Sequence, residues 1–297
     1  MNWSYTKVII IILLALLNIG MLGIRLNNDR AKYSLSSEVE DNIRHILKVY
    51  DYQLYTFLPS EFYPMKTAKE NLRTVDNGSI ANHFFGKGGY QSTKEGNKET
   101  YYRDEDTYVE VYRNGKIYYY EKIKDNEVLL DGVIDKDEAY ELVTKFLLKV
   151  YKGDRIYKAA SYDKENNIYK YEYYNTINGM YIFNDYIKID VHKDHIEAEV
   201  WGANVTLSKE KEKEILPIDE IIFNFVKKVQ NENLEEKYIT DVQLGYYALN
   251  GDTLVSGEQI EYPYYKITVK YDQQYFINAY TNEIYDVNLI KLENDVE

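Results

Sequence analysis

His192 and His195 stand three residues apart, with Asp190 and Asp194 beside and between them. Two imidazoles and two carboxylates are donors that a divalent metal accepts. Their setting argues for something plainer. They bracket Lys193-Asp194, ordinary turn chemistry between two strands, and successive side chains along a strand alternate faces. The segment is therefore read as a hairpin turn, with no metal site. Asp104, Glu105 and Asp106 form an acidic triplet, yet the glycine and closing glutamate of a calcium loop are missing, so a solvated loop is expected. Gly86, Gly88 and Gly89 lack the strand-loop-helix pattern of a phosphate cradle and read as a surface loop. The chain has no G-x-S-x-G, H-E-x-x-H or Walker A sequence. With no cysteine, thiol catalysis, disulfides, cysteine-ligated zinc and iron–sulfur clusters are excluded. Carboxylates total 49, so any one pair is weak grounds for acid–base chemistry. The expectation is a protein that is not an enzyme, with no catalytic or cofactor-binding residue and no cofactor.

The net charge of −13 argues against nucleic acid, which demands a cationic footprint, and against broad contact with anionic lipid. Tyrosine is the compositional anomaly, at 34 residues against 9 Phe and 2 Trp. Its ring packs on a pleated surface while its hydroxyl stays wet, so the chain reads as ordered and strand-rich.

The elements begin with an uncharged apolar run, Val8 to Ile24, preceded by Trp3, Tyr5 and Lys7. As a helix it spans roughly 26 Å, close to the ~30 Å hydrocarbon core of a bilayer. A cleaved signal peptide has a shorter apolar region and a small-residue cleavage site, which is missing here, so an uncleaved anchor is expected. Orientation is open from charge alone. Arg25, Arg30 and Lys32 would by the positive-inside rule keep the C-terminal flank in the cytoplasm, whereas a short leader before a large domain fits an N-in anchor. Asn18 interrupts the run, and an amide in hydrocarbon seeks a partner helix or its own backbone; Gly20 and Gly23 allow close approach.

A polar linker, Asn27 to Ser34, is expected next. Ser37-x-x-Glu40 then reads as a capping box for a helix with Val39, Ile43, Ile46, Leu47 and Tyr50 on one face. Asp76 to Gln91 reads as loop. Tyr108 to Tyr112, Asn114-Gly115 and Ile117 to Glu121 predict a β-hairpin. Two later blocks resemble each other. Asp135 and Pro217 each open an amphipathic helix, with Ala139, Val143, Phe146, Leu147 and Val150 facing inward on one and Ile221, Ile222, Phe225, Val226 and Val229 on the other. Strands and turns follow each, including Asn178-Gly179 and Asn250-Gly251. The predicted fold is α+β: one N-terminal transmembrane helix plus repeated helix-on-antiparallel-sheet units. The expected divisions are 1–32 (leader, anchor and linker), 33–132, and 133–297 made of 133–212 and 213–297, with 37–121 a candidate third, more divergent unit.

The leader Met1-Asn2-Trp3-Ser4-Tyr5-Thr6-Lys7, running into an apolar helix with a central Asn, resembles the start of YycI-type proteins. The stretch Tyr271 to Ile284 resembles that family's closing hairpin, a feature shared with PepSY-type modules. The resemblance implies a single-pass protein of the cell membrane, N-terminus cytoplasmic and C-terminal domain outside. It also implies a regulatory partnership with a sensor histidine kinase controlling cell-wall metabolism, made through the transmembrane helix together with a YycH-like protein. Trp3, Ser4, Thr6, Lys7 and Asn18 are the matching positions, and Trp3, Asn18, Gly20 and Gly23 the expected membrane-partner contacts. The alternative is an anchored PepSY-like inhibitor or chaperone of an extracellular peptidase.

Overall fold

The computed structural model describes residues 3–71, 76–123, 135–150, 156–164, 166–202, 204–229, 237–248, 258–270 and 273–286. Helix α1 (Trp3–Lys32) is followed by α2 (Ser37–Val49) and the short strands β1 (Gln53–Leu54) and β2 (Ala68–Asn71). Helix α3 (Asn77–Phe85) precedes β3 (Gln91–Glu95), β4 (Lys98–Asp104), β5 (Thr107–Tyr112) and β6 (Ile117–Lys122). After α4 (Lys136–Val150) come β7 (Ile156–Asp163), β8 (Ile168–Ile177), β9 (Met180–Val191), β10 (His195–Trp201) and β11 (Asn204–Leu207). Helix α5 (Ile218–Val229) leads to β12 (Tyr238–Tyr247), β13 (Glu258–Val269), β14 (Gln273–Asn278) and β15 (Ile284–Asp286). The fold is α+β, an apolar N-terminal helix joined to a sheet-rich remainder.

Contacts group the chain into two compact units built from non-consecutive segments. The first takes Met1–Met65, Glu212–Leu244 and Tyr264–Glu297; the second takes Lys66–Lys211 and Gly245–Pro263. Residues 33–132 are thus shared between both, with α2 in the first and α3 and β2–β6 in the second.

In the first unit α5 buries the face its spacing predicts: Ile221, Ile222, Phe225, Val226 and Val229 are all closed to solvent. Pro217 precedes it, and its carbonyl accepts from Ile221 N–H, which suits a residue that has no N–H of its own to leave unpaired. Phe225 meets Tyr52 and Tyr275 edge-on, at 5.8 and 5.2 Å between ring centroids. Helix α2 packs on α5 through Ile43 and Leu47. Beneath them β13 and β14 pair antiparallel from Tyr264↔Asn278 to Val269↔Gln273, and β15 adds to β14.

In the second unit eight strands run antiparallel in the order β3-β4-β5-β6-β10-β9-β8-β7. One face is covered by α3 and α4, whose Ala81, Phe85, Ala139, Val143 and Phe146 close on Val109, Tyr119, Ile187, Ile189 and Ile196. Full burial of such a side chain is worth about 1.5–3 kcal/mol, so a covered face is what makes the sheet stable. Asn178 and Gly179 both take positive φ (51° and 80°), the backbone of a type I′ turn joining β8 to β9. Asn114-Gly115 turns β5 into β6 as the spacing predicts, whereas Asn250-Gly251 lies outside the described residues.

Four local expectations change. Residues 77–85 form a helix, not a loop. Asp76 caps it, its carboxylate accepting from Gly78 N–H (3.2 Å) and Ser79 hydroxyl (2.6 Å). Ile80, Ala81, Phe84 and Phe85 supply its apolar stripe, which Gly78 and the polar flanks obscure in the sequence. The cap of α2 is Ser36, one residue early, accepting from Val39 N–H; Glu40 pairs instead with Arg44 at 2.8 Å. The polar linker is helical as far as Lys32, because the residues after Ile24 include no Gly or Pro and end on cations that suit a helix C-terminus. Finally, pairing is not wholly antiparallel. Gln53-Leu54 lies parallel to Tyr238-Ile239, and Gly245-Tyr246 parallel to Tyr181-Ile182.

Candidate functional site: an exposed apolar helix and a tyrosine-lined sheet face

Helix α1 is the one described helix long and apolar enough to cross a membrane, over Ile10–Lys32. Every residue from Ile10 to Asn28 is exposed. Asn18 projects in line with Ile11, Leu14 and Leu22, one or two turns away on the same side. Gly20 and Gly23 fall roughly 140–160° around the axis from it, because each residue advances about 100°. A Cβ added at either glycine would meet nothing within 4 Å. The expected contact residues therefore divide into an amide-bearing face and an opposite small-residue face. Trp3 lies in the first turn of α1, and its side chain is outside the described set, as are Met1 and Asn2.

The C-terminal end of α1 is fastened to the first unit. Lys32 Nζ donates to Glu214 Oε1 (2.6 Å) and Tyr33 Oη (2.9 Å), and Tyr33 Oη donates to Glu214 (3.0 Å). The hydrogen bond from Lys32 holds the Glu214 carboxyl below its usual range. Leu35 N–H donates to Ser60 O and Phe62 N–H to Tyr33 O, so the segment after the helix is pinned by backbone bonds.

The second unit carries a different surface, on the sheet face opposite α3 and α4. Strict alternation places Tyr108, Glu110 and Tyr112 of β5, Tyr118 and Tyr120 of β6, and Glu197 and Glu199 of β10 there, all half-buried. Tyr108 stacks on Tyr120 at 5.0 Å, and Tyr120 on His195 at 5.0 Å. Lys98 pairs with Glu110 at 2.6 Å and Lys116 with Glu199 at 2.8 Å. Tyr186 hydroxyl also donates to Glu199. Burial pushes the Glu199 carboxyl up, but Lys116 and Tyr186 outweigh it and leave it below its ordinary value. Burial, then a hydrogen bond with Glu197, drives the Tyr118 phenol up. The result is an aromatic surface on which Glu110 and Glu199 are paired with Lys98 and Lys116.

The remaining sequence candidates resolve as follows. Asp104 and Asp106 sit in the exposed β4–β5 turn, where Asp104 Oδ1 accepts from Asp106 N–H at 3.1 Å. Gly86 terminates α3 at φ 80°, a positive φ that glycine adopts without strain because it has no Cβ. His192 and His195 do flank the β9–β10 turn, with His192 N–H bonded to His195 O at 2.9 Å. They do not alternate faces, however. Residues flanking a two-residue turn are cross-strand partners and project on one side. Their rings stack at 4.1 Å, and His195 meets two carboxylates: Asp194 at its Nδ1, and at its Nε2 Glu197, two residues along β10 and missed in the sequence. Burial and the neighbouring His195 lower the His192 pKa, and burial raises that of Asp190.

No family model and no curated protein matches the chain. Among solved structures it is similar to the Bacillus megaterium YpeB C-terminal domain, with 15% identity, a TM-score of 0.32, and coverage of 73% of this chain and 98% of that one. That likeness is too remote to assign fold or function.

Proposed function

We propose that this protein is a single-pass, non-catalytic regulator that uses α1 to engage partner helices in the membrane and holds its two compact units outside the cytoplasm. The supporting observation is α1 itself, an apolar helix exposed at every residue from Ile10 to Asn28, with Asn18 on one side and Gly20 and Gly23 on the other. An amide in hydrocarbon gains from a polar partner, and a glycine face lets a second backbone approach. Two faces accommodate two partners. The resemblance of the leader to YycI-type proteins supplies their kind: a sensor histidine kinase of cell-wall metabolism and a YycH-like single-pass protein. The half-buried tyrosine face of the second unit offers contact area at low entropic cost for a sister extracytoplasmic domain. Regulation needs no catalysis, only different affinity for two states of the kinase.

The test is cross-linking and co-purification of the full-length protein from native membranes, with partners identified by mass spectrometry. Recovery of a sensor kinase and a second single-pass protein, both reduced by Asn18→Leu or Gly20→Leu, is the expected result. Recovery of a secreted peptidase instead would replace this reading with that of an anchored inhibitor or chaperone. No membrane partner at all would overturn it.

A further inference from the structure

The β9–β10 turn carries a second feature, independent of the membrane reading. One donor atom from each of His192, His195 and Glu197 lies within 4.8 Å of the others. Asp194 Oδ1 is 2.7 Å from His195 Nδ1, a contact that only a protonated Nδ1 can make with a carboxylate. In the neutral ring the other nitrogen, Nε2, is then a lone pair, and it faces Glu197 Oε1 at 3.3 Å. Two electron pairs so placed repel unless a cation lies between them. A proton serves, giving an imidazolium between Asp194 and Glu197, but that ion pair has no use for His192. His192 stacks face to face on His195 at 4.1 Å, which keeps a third nitrogen beside this pair, and turning the His192 ring about χ2 aims its in-plane lone pair at the same point.

We infer that His192, His195 and Glu197 form a binding site for a divalent transition metal, with Asp194 positioning the His195 ring. Two nitrogens and one carboxylate oxygen suit Zn2+, Ni2+ or Cu2+ and not Mg2+ or Ca2+, which take oxygen ligands. A carboxylate accepting the far N–H of a ligating histidine fixes its tautomer and raises its basicity, which is the relation of Asp194 to His195. The turn is already closed by the His192–His195 backbone bond, and Tyr120 stacks beneath His195, so two of the donors start from fixed backbone positions. Three protein ligands leave tetrahedral zinc one position for water or for a side chain of a bound partner.

The test is calorimetric titration of the detergent-solubilised full-length protein, made without a histidine tag, with ZnCl2 and separately with MgCl2. One zinc per chain is expected, with no response to magnesium. His192→Ala, His195→Ala and Glu197→Gln should each weaken binding by about tenfold or more, and Asp194→Asn by about tenfold, in the range typical of groups that orient metal ligands. Asp106→Asn, in the neighbouring acidic turn, should bind as the wild type does. Trp201 fluorescence verifies that each variant is folded. Zinc binding no tighter in the wild type than in a folded His192→Ala/His195→Ala double variant, or binding unchanged in every single variant, would overturn the assignment.

Discussion

Replacing Glu261 by Gln is expected to remove most of the pH dependence of the second unit's stability between pH 5 and 8. Glu261 lies on β13 opposite Ala68, and Glu70 lies two residues further along β2, a diagonal neighbour on the same face. Glu261 is fully closed to solvent, and among the described residues neither of its carboxyl oxygens has a hydrogen-bond donor. Burial first, and the charge of Glu70 second, push its pKa from 4.5 to about 8. A proton on Glu261 turns that repulsion into a carboxyl–carboxylate hydrogen bond. The unfolded chain releases this proton near pH 4.5 while the native state keeps it to about pH 8, so the native state binds more protons in between. Stability therefore falls as pH rises through the window, and the contribution is complete only below pH 4.5. At about 1.4 kcal/mol per unit the full shift is worth roughly 4–5 kcal/mol, of which about 3.5 is lost between pH 5 and 8. Asp190 acts in the same sense, His192 in the opposite sense near its ordinary value, and the lowered carboxyls of Asp76, Asp194, Glu199 and Glu214 act only at more acid pH. The amide introduced by Glu261→Gln offers Glu70 a permanent N–H in place of the titrating O–H. The assay is urea unfolding of the detergent-solubilised protein at several pH values, followed by fluorescence of Trp201, which is buried in the same unit. A wild-type stability that is flat or rising from pH 5 to 8, or an equal slope in Glu261→Gln, would refute the reasoning.

Other substitutions probe separate parts of the argument. Asn18→Leu should weaken membrane co-purification about 3- to 30-fold, since an interhelical hydrogen bond in lipid is worth roughly 0.6–2 kcal/mol. It should leave urea unfolding unchanged. Gly245→Ala would place its Cβ 2.5 Å from Tyr181 O and 2.8 Å from the Phe183 ring. Because the nearer obstacle is backbone, a loss of about 1–3 kcal/mol is expected in urea unfolding. Phe146→Ala empties a buried site that packs on Tyr119 at 4.9 Å and should cost about 3–5 kcal/mol in the same assay. Asp135→Ala removes a cap whose side chain accepts from Lys136 N–H and whose own N–H is bonded by Glu138, costing about 1 kcal/mol.

Much of the local structure was legible because it is encoded over short distances. Helices α4 and α5 follow from an apolar repeat that burial then confirms at Val143, Phe146, Ile222 and Phe225. The β5–β6 and β8–β9 hairpins follow from Asn-Gly pairs: at β8–β9 both residues take positive φ, and at β5–β6 Gly115 does so while Asn114 does not. Helix α3 was not legible. Its stripe is short, and its stability comes from packing against β4 and β5, which local propensity does not report. The His-Glu cluster was half legible. The histidine spacing is visible in the sequence, but which side chains share a face depends on the turn holding two residues and not three, and Glu197 enters only through the strand that the turn creates.

By itself the sequence determined the apolar N-terminal helix, the strand-rich composition, the alternation of helix with sheet, and the lack of any cysteine chemistry. These rest on periodicity and composition, which act between near neighbours. Tertiary structure alone decided that β2 pairs with β11 and with the start of β13, that β12 lies parallel to β9, and that Glu70 and Glu261 are buried side by side. Such pairings join residues far apart in the chain. Their selection depends on the total apolar area closed and the backbone hydrogen bonds completed, quantities that no local window of residues contains.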